Sequence, residues 1–207
     1  MRGFLHRPTK PVAQLAVALT HGAGSDCNSI MLREIAGTLA EAGIPALRYN
    51  LAFRNRRPSG MPAGSGAEDR ESVRDAVAFL SCATEAPVVA GGHSYGGRMT
   101  SIAAAEDGTG FRGLLLFSYP LHPPRKPDTL RTVHFPALQT PALFIHGTRD
   151  PFGSPDEMKV ALALIPASAQ LTLLEGAGHE LRKPATWCSQ ILDAFRSFFI
   201  TESAPQP

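Results

Sequence analysis

Short runs of apolar residues alternate along the chain with stretches in which apolar residues recur every three or four positions. The runs predict six β-strands, at residues 13–20, 46–50, 87–90, 113–118, 142–145 and 171–174. The periodic stretches predict helices between them, at residues 28–42, 67–81, 95–105, 154–165 and 185–200. Strands that alternate with helices are typical of a parallel sheet covered on both faces. We therefore predict an α/β fold, a three-layer α/β/α sandwich around a mostly parallel six-stranded sheet.

Two segments show neither the apolar runs of strands nor the three-to-four-residue repeat of helices, and they are predicted to be loops. Residues 54–66 are rich in Arg, Pro, Gly and Ser, and residues 119–140 contain five prolines among 22 positions. Neither segment shifts composition or charge enough to mark a domain boundary. We predict one domain over residues 1–207, with its core at about 12–200 and a flexible tail at 201–207.

Composition excludes several classes of protein. Hydrophobic residues make up 43% of the chain, enough for a sizeable core, and 20 basic against 18 acidic residues leave a net charge of +2. That balance is too even for a protein that binds nucleic acid by neutralising phosphates. The apolar runs are too short to cross a bilayer, so we expect no membrane association.

The N-terminus and the cysteines bear on the compartment. The first ten residues are basic but lack the apolar segment of a secretory signal. Cys27, Cys82 and Cys188 are scattered without metal-type spacing. We therefore expect reduced thiols, no zinc site and a cytoplasmic location.

The strongest chemical signal is the sequence GGHSYGG at residues 91–97. It lies between a predicted strand and a predicted helix, which is the context of a G-x-S-x-G nucleophile elbow. Ser94 would stand on the sharp turn, with the positive end of the helix behind it. Gly92 and Gly96 would allow the backbone to approach closely around it. The alternative is an ordinary serine in a glycine-rich turn.

A serine nucleophile needs a base and a group that orients the base. Asp150 follows the strand 142–145 after a short turn, and His179 follows the strand 171–174 in the same way. Both lie where open α/β sheets place their sites, in the order serine, acid, histidine. We predict a catalytic triad of Ser94, His179 and Asp150, with Glu175 as the alternative acid. His93, inside the elbow, is predicted to be a packed or hydrogen-bonded support.

The sequence also indicates an oxyanion hole. One backbone donor would be the N–H of Tyr95, the residue after the nucleophile. The other would be the N–H of Ala23, in the HGAG loop at residues 21–24 after the first predicted strand. A phosphate-binding turn is the alternative, but the third glycine of G-x-G-x-x-G and a Walker lysine are missing. This set of groups requires neither a metal nor an organic cofactor.

Together these motifs resemble the α/β-hydrolase superfamily, and most of all its small, capless, dienelactone-hydrolase-like members. The segments RYN at 48–50, YPLHPP at 119–124 and GTRDPFG at 147–153 are similar to a subgroup of mostly uncharacterised bacterial hydrolases. Eukaryotic relatives of that subgroup include testis-expressed proteins and a subunit of a chromatin acetyltransferase complex. The resemblance covers positions 12–200 and implies the triad roles of Ser94, Asp150 and His179. Dienelactone hydrolases proper carry cysteine as the nucleophile, so their substrate is not implied.

The residues and the resemblance predict a serine hydrolase that acts on a small ester, thioester or amide. In this superfamily the segment 119–140 would carry the lid, and it is too short for a multi-helix cap, so we expect an open, shallow site. Arg48, Arg54 and His122 are candidate substrate contacts, and His122 could equally be a solvated loop residue. Arg54, Arg56 and Arg57 could instead form a solvated basic loop.

Two other functions share the same residues. The chain could be a non-catalytic interaction scaffold of this fold, or it could transfer an acyl group to an acceptor other than water. For the hydrolase we expect a small acyl compound as the only partner and a monomer or homodimer as the assembly.

Overall fold

The computed structural model describes residues 2–10 and 14–200 and contains a seven-stranded sheet. The strands are β1 (Gly3–His6), β2 (Ala16–Thr20), β3 (Ala46–Tyr49), β4 (Val88–His93), β5 (Phe111–Phe117), β6 (Ala142–Gly147) and β7 (Ala169–Leu174). They lie in the order β1-β3-β2-β4-β5-β6-β7, and every neighbouring pair is parallel except β1 with β3. The predicted α/β fold is confirmed, and the predicted count of six strands is wrong by one.

The additional strand is β1, which pairs antiparallel with β3 at the edge of the sheet. Its attachment depends on Arg48 in β3. The guanidinium of Arg48 lies 4.7 Å from the centroid of the Phe4 ring, and its Nε donates to Nε2 of His6 at 2.8 Å. Gly3 is required at the close approach, because a Cβ there would lie 2.5 Å from the carbonyl oxygen of Arg48.

Six α-helices flank the sheet. They are α1 (Ile30–Glu41), α2 (Ala52–Arg56), α3 (Ala67–Thr84), α4 (Tyr95–Glu106), α5 (Pro155–Leu162) and α6 (Cys188–Phe199). Helices α1 and α6 cover one face of the sheet, while α3, α4 and α5 cover the other. Helix α2 begins before the segment predicted as a loop at 54–66 and occupies its first residues, so that loop prediction is partly wrong. Among the described residues no helix has both the length and the hydrophobicity to span a membrane.

The core explains why the strands take this arrangement. Side chains alternate along each strand, so that Val17 and Leu19 of β2 pack toward α1 while Ala16 and Ala18 pack toward α3. Strands buried on both faces read as continuous apolar runs, which is why β2, β5 and β6 were detectable in the sequence. Because β2 to β7 run parallel, their carboxyl ends all open onto one edge of the sheet, and the loops after β2, β4, β6 and β7 meet there.

Candidate active site

Ser94 stands on a strained turn between β4 and α4. Its backbone has φ 50° and ψ −113°, a region that residues other than glycine rarely occupy. Gly96 permits this turn, because a Cβ there would lie 2.5 Å from the carbonyl oxygen of His21. The N–H of Ser94 donates to the carbonyl of Phe117 at 2.9 Å and ties the turn to β5. The geometry is that of the strand–turn–helix elbow predicted from the sequence.

The structure brings Ser94, His179 and Asp150 into one hydrogen-bonded chain. Nε2 of His179 lies 2.8 Å from Oγ of Ser94, and Nδ1 lies 2.8 and 3.0 Å from the two carboxylate oxygens of Asp150. A carboxylate only accepts, so Nδ1 carries the proton and Nε2 is free to accept from the serine hydroxyl. The alternative acid, Glu175, is exposed and accepts from Oγ1 of Thr148 at 3.3 Å.

Asp150 is itself held in place by the loop after β6. Its Oδ1 accepts from the N–H of Phe152 at 2.8 Å. The buried His146 donates from Nε2 to the carbonyl of Gly153 at 2.8 Å, which closes the loop around the carboxylate. The ring of Phe152 stacks on that of His179, with 4.0 Å between centroids. The acid and the base of the chain are therefore oriented by the same short loop.

His93 contacts His179 from the elbow side, as a hydrogen-bonded support, which is the role predicted for it. Its Nε2–H donates to the carbonyl oxygen of His179 at 2.8 Å, and the two rings lie 5.3 Å apart. Burial lowers the pKa of His93, so its ring is neutral at ordinary pH. The ring packs against Gly22, where a Cβ would lie 2.8 Å from Nδ1. His93 thus links the loops after β2, β4 and β7.

The loop after β2 has a fixed peptide orientation at Ala23. The carbonyl of Gly22 accepts from Nδ1–H of His21 at 2.9 Å and from the N–H of Ser25 at 3.2 Å. Nε2 of His21 accepts from the N–H of Leu51 at 3.2 Å, and burial lowers the pKa of this ring. Because a trans peptide points its N–H opposite to its C=O, these bonds turn the N–H of Ala23 away from the loop.

Ala23 and Ser94 line the same cavity, which has a volume of about 350 Å³. The other lining residues come from the surrounding loops: Gly22, Gly24, Ser25, Met61, His93, Phe152, His179 and Glu180. Four of these lining residues were not predicted from the sequence: Ser25, Met61, Phe152 and Glu180. Phe152 and Glu180 are near neighbours in sequence of Asp150 and His179, which is the one signal that could have indicated them.

The three predicted substrate contacts do not line this cavity. Arg48 is buried, and its NH1 donates to the carbonyl of Cys27 in addition to its contacts with β1. Arg54 is also buried and donates to backbone carbonyls, to Ala23 at 2.8 Å and to Ser25 at 2.9 Å. His122 is buried and bonds from Nδ1 to the carbonyl of Pro123 at 2.9 Å, so the interpretation of it as a solvated residue is wrong.

Within the described part of the chain, no cluster of three or more His, Cys, Asp or Glu side chains is arranged to hold a metal ion.

The comparisons with known proteins agree with the α/β fold described above. The chain is similar in structure to a dienelactone hydrolase from Anabaena variabilis, with 22% identity over 96% of this chain and 90% of that one and a TM-score of 0.74. A lidless α/β serine hydrolase from Xanthomonas campestris matches at 19% identity over 98% and 90%, with a TM-score of 0.73. Est1E from Butyrivibrio proteoclasticus, with ferulic acid bound, matches at 15% identity over 95% and 94%, with a TM-score of 0.74. Residues 13–192 match the family described as an alpha/beta hydrolase domain. The chain belongs to that family.

Proposed function

We propose that this protein is a serine hydrolase that cleaves a small carboxylic ester, thioester or amide through an acyl-enzyme intermediate. The observation that carries the proposal is the unbroken hydrogen-bonded chain from Oγ of Ser94 through His179 to the buried carboxylate of Asp150. Membership of the alpha/beta hydrolase domain family supports it. The resemblance to the subgroup with testis-expressed and chromatin-complex relatives stays a prediction.

In the first half of the reaction Oγ of Ser94 attacks the substrate carbonyl carbon, and its proton moves to Nε2 of His179. The carboxylate of Asp150 stabilises the resulting imidazolium. The same proton then passes to the leaving group as the bond to the acyl carbon breaks. In the second half His179 takes a proton from water as the water oxygen attacks the acyl carbon. The bond to Oγ of Ser94 then breaks, Oγ takes that proton back from Nε2 of His179, and the acid leaves.

Two backbone N–H groups are proposed to stabilise the tetrahedral oxyanion. The N–H of Tyr95 belongs to the first turn of α4, where backbone donors have no partner inside the helix. The N–H of Ala23 belongs to the peptide that the Gly22 carbonyl bonds hold fixed. Each such donor contributes about 3–4 kcal/mol to lowering the barrier.

The position of the loop at 119–140 favours an open site and a small substrate. Four of its apolar residues pack into the core beside α5, namely Tyr119, Leu121, Phe135 and Leu138. None of the residues that line the Ser94 cavity comes from this loop. The segment where the resemblance implies a lid therefore packs over the sheet, and among the described residues it leaves the cavity at Ser94 open to solvent.

The proposal is tested by labelling with a fluorophosphonate and by hydrolysis of p-nitrophenyl acetate. Ser94→Ala should lose the label and lower kcat by about 10⁴-fold or more, because the nucleophile is gone while the rest of the site stays. Ser101→Ala is the matched control, since buried Ser101 also lies 2.8 Å from a histidine, His134, and should keep the label. A wild-type protein that resists the label and hydrolyses no ester would overturn the proposal and favour the scaffold.

A further inference from the structure

Two exposed apolar side chains lie beside the Ser94 cavity. Ile30 is 68% exposed and Met61 is 65% exposed. Both line a groove of about 500 Å³, and Met61 lines the Ser94 cavity as well. Single exposed apolar residues are ordinary on protein surfaces, but a pair facing one groove next to a nucleophile is typical of a ligand-binding surface.

We propose that this groove is an apolar subsite that holds the acyl chain or the alcohol portion of a neutral ester while its carbonyl lies at Ser94. The inference rests on the proposed function and names its substrate class: uncharged esters with an apolar arm of several carbons, preferred over esters whose acyl and alcohol portions are both short.

Continuity with the reaction site identifies the occupant. The groove and the Ser94 cavity share Gly24, Ser25 and Met61 as lining residues. At Gly24 an added Cβ would meet nothing within 4 Å, so the passage between the two spaces is unobstructed. A linear substrate held at Ser94 can extend past Gly24 onto Met61 and Ile30 without any movement of the backbone.

The two walls of the groove are fixed to one another. Ser29 caps α1 by accepting from the N–H of Leu32 at 3.4 Å, which places Ile30 at the first helical position on the outer side. The other wall is the segment that leads to Met61, and NH2 of Arg54 donates to the carbonyl of Gly60 at 3.2 Å. The same guanidinium holds the carbonyls of Ala23 and Ser25.

The charges around the groove favour a neutral ligand. The guanidinium of Arg54 lines the groove but is engaged by backbone carbonyls, while Asp26 adds a carboxylate to the same lining. A second groove on the other side of Ile30 carries Glu180, Arg182 and Lys183. The second groove has three charged side chains against two in the first, where Arg54 already bonds to carbonyls, so an apolar chain would desolvate more ionic groups in the second groove.

The test measures kcat/KM along two series of neutral esters. One series varies the acyl chain, from p-nitrophenyl acetate to the octanoate, and the other varies the alcohol, from ethyl to hexyl acetate. In wild-type protein kcat/KM should rise along one series, by up to about fourfold for each methylene that is buried. Ile30→Gln and Met61→Gln should flatten that rise, so that kcat/KM falls more for the longest ester of the series than for the shortest.

Val160→Gln is the matched control, because Val160 is 74% exposed on α5 and lines neither space. It should reproduce the wild-type profile. Flat profiles in both series, or profiles that Ile30→Gln and Met61→Gln leave unchanged, would overturn the subsite while the labelled serine hydrolase remained. Faster turnover of a carboxylate-bearing ester than of a neutral ester of equal length would also overturn it. Failure of the proposed function is distinguishable, since it shows as absence of fluorophosphonate labelling.

Discussion

The guanidinium of Arg54 is a buried cation whose partners are backbone carbonyls. Its donors reach Ala23, Ser25 and Gly60 at 2.8, 2.9 and 3.2 Å. Ala23 supplies one donor of the proposed oxyanion hole, so Arg54 acts on the reaction through the loop that it positions. A lost or displaced backbone donor is costly, because the oxyanion forms only in the transition state.

Replacing Arg54 should therefore lower kcat more than it raises KM. We expect Arg54→Met to reduce kcat for p-nitrophenyl acetate by up to about 100-fold, the cost of one oxyanion donor, and Arg54→Lys to recover part of it. Rates are to be normalised to fluorophosphonate-labelled sites, so that unfolded protein is not counted. Arg57→Met is the control, because the exposed side chain of Arg57 carries no contact to the Ala23 loop.

Two results would contradict the positioning role. An unchanged kcat per labelled site in Arg54→Met would show that the Ala23 peptide does not depend on the guanidinium. A KM increase confined to esters that carry a carboxylate would instead make Arg54 a substrate contact, which is the role that the sequence suggested.

The residues of the candidate triad and the support from His93 could be predicted from the sequence, but Arg54 and Met61 could not be placed at the site. Ser94, Asp150 and His179 each follow a strand by a short turn, so local pattern and chain order were enough to select them. Arg54 and Met61 are far in sequence from the residues that they contact at the site, and only the fold brings them together. An arginine in a Gly- and Pro-rich segment looks the same in sequence whether its guanidinium is solvated or buried against carbonyls.

At the scale of elements, Asp69 joins three helices beside the elbow. This buried carboxylate, on α3, accepts from the N–H of Phe53 on α2 at 2.9 Å and from the hydroxyl of Tyr95 on α4 at 2.7 Å. The rings of Phe53 and Tyr95 meet edge to face with 5.7 Å between centroids. Burial, followed by the bond to Asp69, raises the pKa of Tyr95, so the phenol stays a donor.

Removing this carboxylate should destabilise the fold. Asp69→Ala leaves a buried N–H and a half-buried hydroxyl without their acceptor, and we expect the free energy of unfolding to fall by about 2–4 kcal/mol in urea titrations. Asp69→Asn keeps one acceptor oxygen and should lose less. Asp75→Ala, an exposed substitution on the same helix, should change the free energy of unfolding by no more than about 0.5 kcal/mol. Equal effects of Asp69→Ala and Asp75→Ala would refute the bridge.

Element prediction failed where an element is short or depends on distant partners. Strand β1 has four residues, two of them exposed, and pairs through contacts with Arg48 more than forty positions away. Helix α2 has five residues, too few for a helical period to show. The strands buried on both faces and the long amphipathic helices were recognisable because burial on that scale leaves a pattern in the sequence.

At the scale of the whole molecule, the fold buries several histidines as neutral rings. Burial is the largest cause that lowers the pKa of His21, His93, His134 and His146. Three of them, His21, His93 and His146, hold backbone carbonyls of the loops around Ser94. The unfolded chain can protonate all of these rings near their ordinary pKa, so acid should weaken the fold and the site together.

His134 allows this linkage to be measured away from the site. Burial, followed by the charge of Arg98, lowers the pKa of His134 from 6.5 to about 4. Above pH 6.5 the ring is neutral in the folded and in the unfolded chain, so it does not change how stability depends on pH. Between pH 6.5 and about 4 the unfolded chain holds the extra proton, so the stability of the fold falls as the pH falls; below pH 4 both states are protonated and the loss stops.

The expected result is that the free energy of unfolding falls less steeply with falling pH in His134→Gln than in wild type. Glutamine can keep a bond to Ser101 but does not titrate, so the variant should lose less free energy of unfolding between pH 7 and pH 4.5. One proton can change the free energy of unfolding by at most about 1.4 kcal/mol per pH unit, and the difference should stay below this limit because solvent reaches part of the ring.

Urea titrations at several pH values measure this difference. The control is Val133→Gln, at the adjacent position, which is 94% exposed and should follow wild type. Parallel curves for wild type and His134→Gln would mean that His134 takes up its proton equally in the folded and unfolded chains, and the acid sensitivity of the fold would then have to come from the histidines around Ser94.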